Sequence, residues 1–146
     1  MPTLTELCRV LADDLVPVTE SLPERAVTGI HISELIDPTV YLEGGELLLT
    51  VGMGLTGHTA QAHAYTARLA RFGVAALGFG VGPVHDALPE SLVRACEVTG
   101  LPLLVINDAE LAAHSARLDS RLAKFRKVLV ITLGFGIGAA LINRSP

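Results

Sequence analysis

The stretch GGELLLTVGMGLTGH, residues 44–58, decides how this chain is read. An apolar run (Leu47, Leu48, Leu49, Val51) empties into Gly52-Met53-Gly54-Leu55-Thr56-Gly57, and a helix-like segment follows. Strand, glycine turn and helix in that order are the opening of a βαβ unit. The glycine spacing is also G-x-G-x-x-G, the fingerprint with which such a unit holds a dinucleotide pyrophosphate. Two conditions of that fingerprint are met, a strand before it and a helix after it. The third fails. A ribose-binding Asp or Glu belongs at the end of the next strand, about 20 residues on. There the sequence reads Gly78-Phe79-Gly80-Val81-Gly82, with no acid until Asp86. A looser role stays open, in which backbone amides at a helix N-terminus hold some anion.

Working outward from the loop, a rhythm appears. Glu46 to Val51 is a strand, and His58 to Phe72 an Ala-rich helix stopped by Gly73 where a C-terminal glycine cap belongs. Val74 to Val81 is the next strand, Pro89 to Thr99 a helix with Gly100 just past its end, and Pro102 to Ile106 a strand. Strands alternating with helices of this length imply a parallel sheet with right-handed crossovers. Upstream, Thr5 to Asp13 reads as a short helix, Leu15 to Arg25 as irregular (Pro17, Pro23), and Ala26 to Leu35 as mostly strand. Asp37-Pro38 then turns the chain into a short helical stretch to Leu42. The fold class expected is α/β, a mainly parallel sheet with flanking helices, built from strands near 27–33, 46–51, 74–81, 102–106 and 128–133. A C-terminal β-hairpin completes it.

Half of the 146 residues are hydrophobic and only 18% are charged, which excludes disorder and fits buried strands. A net charge of −4 argues against a nucleic-acid-binding module. Cys8 and Cys96 are unclustered, so they are read as reduced thiols of a cytoplasmic protein; the N-terminus lacks a basic start and an apolar run, so no signal peptide is expected. Val128 to Ile142 is apolar apart from Thr132, but at 15 residues it is shorter than the roughly 20 a spanning helix needs. Its β-branched residues and glycines favour strand–turn–strand, so no membrane contact is expected. Between Asn107 and Lys127 a helix is expected, acidic at its start and basic at its end, as the helix dipole favours.

Catalytic sets are hard to find. His58 and His63 are five apart, off a common helix face, and His31, His85 and His114 stand singly. G-x-S-x-G is absent. No catalytic residue, metal site or cofactor is expected from chemistry alone.

Three stretches taken together resemble a family. GIHISELIDPTVYLEGGELLLTVGMGL (29–55), GVAALGFGVGPVHDALPESLVRACEVTGLPLLVI (73–106) and the helix between them are similar to the N-terminal domain of PucR-type, purine-catabolism-regulator proteins. The segments H-x-S-E-L-x-D-P, G-G-E-L-L-L-T and G-V-A-A-L-G-F carry the resemblance, which covers residues 4 to 106. It implies a regulatory domain of bacterial transcription activators that senses metabolites, with DNA bound by a separate helix-turn-helix not expected in this chain. It also implies that the glycine loop is a family turn. After Ile106, INDAELAAHSARL and KVLVITLGFGIGAALINR resemble a piece of the ROK family of sugar kinases and repressors. There Asp108 matches a catalytic Asp, but Phe135 replaces a Thr of the phosphate turn, and the D-x-G-G-T loop and zinc-type motif are missing. Residues 107–146 are therefore read as a helix and hairpin packed on the same domain, with Asp108 as a helix cap.

The function expected is non-catalytic ligand sensing, the effector being a purine-related or other small metabolite. Ligands of α/β sheets bind outside the carboxyl ends of the strands, so the candidate ligand positions are His31, Ser33, Glu34, Asp37, Glu46, Thr50 and Gly52. The rival readings are ATP-dependent sugar phosphorylation through Asp108, DNA binding through Arg117, Arg121 and Lys124, and a purely dimerising module. A homodimer burying Val128 to Asn143 is expected, because an apolar strand edge invites pairing with another chain.

Overall fold

A computed structural model describes residues 1–12, 15–20, 22–82, 84–106, 127–133 and 137–143, the last two segments as backbone. Its centre is a five-stranded sheet of β1 (Leu15–Pro17), β2 (Gly29–Ile32), β3 (Glu46–Thr50), β4 (Ala76–Gly80) and β5 (Leu103–Ile106), in the order β1-β5-β4-β3-β2. The last four are mutually parallel; β1 runs antiparallel to β5, with Val16 opposite Val105.

The side chains explain why these segments are strands buried on both faces. Leu48, Leu77, Phe79 and Leu103 point into one core, with Leu69 of α2 (Thr59–Phe72) and Leu92 and Cys96 of α3 (Glu90–Thr99). Leu47, Leu49, Ala76, Leu104 and Ile106 point into the other, covered by Leu4 and Cys8 of α1 (Leu4–Val10). Period-two alternation with both sets apolar is the pattern of a parallel sheet between two layers. From β2 to β5 the chain steps across the sheet in one direction, and right-handed connections then put every crossover on one face. The connections therefore carry α2, α3 and Leu42 into the same core.

Local chemistry sets the ends. Thr3 and Glu6 form a capping box at α1, the Glu6 N–H donating to Thr3 Oγ1 at 3.2 Å and the Thr3 N–H to Glu6 Oε2 at 3.0 Å. Gly73 and Gly100, both left-handed, close α2 and α3 as their positions imply.

Two expectations need correction. The stretch from Leu15 to Arg25, read as irregular, opens with β1, a strand at the end of the sheet order that stops at Pro17. Residues 128–133 do not extend the main sheet. They lie in β6 (Lys127–Leu133), which pairs antiparallel with β7 (Ile137–Asn143) as a separate two-stranded sheet, Val130 opposite Ala140. The apolar run thus folds back on itself, and among the described residues no helix is long and apolar enough to cross a membrane. The helix expected between Asn107 and Lys127 falls outside the described residues up to Arg126, as do Asp108, His114, Arg117, Arg121, Lys124 and the hairpin turn at Phe135; Lys127 itself opens β6.

Candidate functional site

The strands β2, β3 and β4 end at the same edge of the sheet, and the segments that follow them meet there. The central group is the half-buried carboxylate of Glu34. Its Oε1 accepts from Thr50 Oγ1 at 2.7 Å, the Val51 N–H at 3.1 Å and the Met53 N–H at 3.2 Å. Its Oε2 accepts from Thr50 Oγ1 at 3.1 Å and the Val51 N–H at 3.0 Å. Thr50 Oγ1 in turn accepts from the Gly52 N–H at 3.0 Å. An ionised carboxylate is an acceptor only, and bonds from backbone N–H groups to it are charge-assisted. Glu34 therefore ties the segment after β2 to the turn after β3.

The far side of the glycine loop is tied as well. Gln61, in the first turn of α2, accepts from both the N–H and the hydroxyl of Thr56 at 2.8 Å, and its Nε2 donates to the Gly54 carbonyl at 2.7 Å. Six residues separate Gly52 from Thr59, where α2 begins, so the turn and the helix N-terminus do not form one phosphate cradle. The anion in the turn is the chain's own carboxylate. That answers the question the glycine spacing posed.

Gly52 is fixed by contact and by conformation. Its φ is +76°, and a Cβ there would stand 2.7 Å from Phe79 Cε2 and 3.1 Å from His85 Cδ2. The His85 Nε2 lies 2.9 Å from the Gly52 carbonyl oxygen, and its ring is tilted 50° to that of Phe79 at 5.7 Å between centroids. Tyr65 of α2 is buried below the turn. Burial pushes its phenol well above the usual tyrosine range, the nearby Glu34 charge pushes it further, and the Thr50 hydroxyl pulls the other way. His85, Phe79 and Tyr65 are members of this cluster that sequence reasoning passed over.

The remaining candidate positions are spread around it. Ser33 sits beside Glu34, its Oγ accepting from the Leu35 N–H at 3.1 Å and its own N–H donating to the Leu49 carbonyl at 3.1 Å. Asp37 starts a 3-10 turn over Pro38–Tyr41, accepting from the Thr39 N–H at 3.1 Å, and lies 3.7 Å from Arg68 Nε. Its carboxyl is held below the usual range, chiefly by the Thr39 hydroxyl. His31 lies within the edge strand β2. Glu46 stands at the opposite end of β3, where its Oε1 accepts from the Glu43 N–H at 2.6 Å and the Gly44 N–H at 3.0 Å. The structure thus brings Ser33, Glu34, Thr50 and Gly52 together and leaves His31, Asp37 and Glu46 apart from them. Among the described residues no buried side-chain polar atom lacks a hydrogen-bond partner, and no three His, Cys, Asp or Glu side chains are grouped to hold a metal ion.

An open α/β sheet whose glycine turn is closed by its own carboxylate is a different class of domain from the dinucleotide-binding enzymes. The model of the purine catabolism regulatory protein-like family (PucR) matches residues 3–115, and the chain belongs to that family. It carries a PucR-type regulatory domain. No curated protein matches the chain.

Proposed function

We propose that this domain is a non-catalytic sensor, in which a small metabolite binds at the carboxyl ends of β2, β3 and β4 and is read out through the Glu34 tie. The observation that carries the reading is the bridge from Glu34 to Thr50, Val51 and Met53. It joins two connections at the edge of the sheet where ligands of α/β folds bind. Family membership supports a regulatory role. The polar groups near the site are engaged with one another rather than paired as nucleophile and base, which favours sensing over catalysis. Ser33, Glu34, Thr50 and Gly52 form the centre of the proposed site, with His85 above the turn and His31 and Asp37 flanking it. The effector is a purine-related or similarly hydrogen-bonding metabolite, whose N–H groups suit a carboxylate acceptor. The chain acts in the cytoplasm and makes no direct contact with DNA.

The test is a thermal-shift screen of the purified chain against purines, ureides and common metabolites, repeated on Glu34→Gln. A ligand that binds only the native state raises the midpoint by mass action. The expected result is a shift with at least one compound that shrinks in Glu34→Gln. A shift untouched by that change moves the site elsewhere, and no shift with any compound refutes the sensing role.

A further inference from the structure

Five large apolar side chains stand in water on two adjoining segments. Leu35, Ile36, Val40 and Tyr41 come from the segment between β2 and β3, and Met53 from the glycine turn; they are between 49% and 73% exposed. The two stretches adjoin. A Cβ at Gly54 would lie 3.1 Å from Ile36 Cγ1, and the Met53 N–H reaches Glu34. Five such side chains on adjoining segments make a patch on the order of the few hundred Å² that the largest apolar patch on a monomer carries. A standard interface buries about 800 Å² on each partner, and this patch would form its apolar centre with the polar residues around it as the rim.

We propose that the patch seats a second copy of this chain, packed about a two-fold axis. Two features select a copy of the same chain over a partner of another kind. The rim places opposite charges side by side, Asp37 beside Arg68. Such a rim is complementary to itself after a two-fold rotation, whereas a partner of a single charge sign would meet repulsion as well as attraction. The patch also continues from β2, which among the described residues is an edge strand paired with β3 alone. A row of unpaired backbone groups is a template for another strand, and a two-fold axis perpendicular to the strands at this edge sets β2 antiparallel to its copy. The interface shares its border with the proposed ligand site at Met53 and Asp37, but Val40 and Tyr41 belong to the patch alone, so variants at these two positions test the interface independently of the sensing role.

The experiment is sedimentation of the full chain over a dilution series, for the unaltered protein and for Val40→Glu, Tyr41→Ala and Val98→Glu. Val98 is as exposed as Val40 but lies on α3, away from the patch, and serves as the control. All three positions face water, so the variants keep the fold, checked by circular dichroism. The expected result is a dimer whose dissociation constant rises at least about tenfold in Val40→Glu and Tyr41→Ala and is unmoved in Val98→Glu. Hydrogen exchange of residues 30–41 should also quicken on dilution. A monomer at high micromolar concentration, or a dimer indifferent to both patch variants, overturns the proposal.

Discussion

Replacing Gly52 by alanine tests the account of the glycine turn most directly, because two separable terms act there. The first is conformational: φ is +76°, and an L-residue in that region costs about 1–2 kcal/mol. The second is steric. The new methyl would stand 2.7 Å and 2.9 Å from Cε2 and Cζ of Phe79, a ring that is fully buried and has nowhere to move. Overpacking of this kind costs about 1–3 kcal/mol. Gly52→Ala should therefore lose about 2–5 kcal/mol, which for a chain of this size lowers the melting midpoint by on the order of 10 °C or more. Gly57 separates the terms. Its φ is +88°, but a Cβ there meets nothing within 4 Å, so Gly57→Ala should lose only the conformational part, about 1–2 kcal/mol. Urea unfolding of both variants, and of Gly52→Ala combined with Phe79→Leu, reads the difference. The pair should couple, because the smaller side chain relieves the clash. Equal losses at Gly52 and Gly57, or strict additivity with Phe79→Leu, would refute the reasoning.

Other outcomes follow from single contacts. Glu34→Gln removes the charge that three donors face and turns an N–H₂ toward backbone amides; it should cost about 1–3 kcal/mol and speed amide exchange at Val51 and Met53. Protection left intact there would mean that the tie contributes nothing. Burial pushes the Cys96 thiol up to about 12, with the Glu97 charge adding to it, and raises Cys8 as well. Both thiols ionise more readily in the unfolded chain, so stability should be full below the unfolded value near 9 and decline as pH climbs toward 12, as unfolding midpoints measured across that window would register. At pH 8 the native protein should leave Cys96 unlabelled by a thiol reagent until denaturant is added. Thr3→Ala deletes half of the capping box and should cost about 1 kcal/mol, detectable in the urea midpoint and expected to be absent in Thr3→Ser.

The parallel core was legible because its signals are long and repeated. Leu47 to Leu49, Ala76 to Phe79 and Leu103 to Leu104 are runs apolar on both faces, each followed or preceded by a helix with a glycine at its end. The strand β1 was not legible, since three residues ending in a proline hold no periodicity, and only pairing with β5 makes them a strand. Misplacement of residues 128–133 had a related cause: the sequence marked a strand, but its partner is a tertiary choice. At the candidate site, Ser33, Glu34, Thr50 and Gly52 could be named because they stand at strand ends. Tyr65, Phe79 and His85 could not. Each is ordinary in its own segment, and they meet only because two crossovers return to the same edge.

The pairing of β1 with β5 also sets an order of assembly. Leu15 is matched to Ile106, so the first strand of the chain has no neighbour in the sheet until the last of the five has been made. Strands β2, β3 and β4 can line up as they emerge, each beside the one before it. Strand β1 must wait through about 90 further residues of synthesis, roughly 5–20 s at ordinary elongation rates. The segment before it, tied by the Leu4 N–H to the Arg25 carbonyl and by the Val27 N–H to the Pro2 carbonyl, finds its partners early. Of the five strands, the one made earliest is thus the one that pairs last.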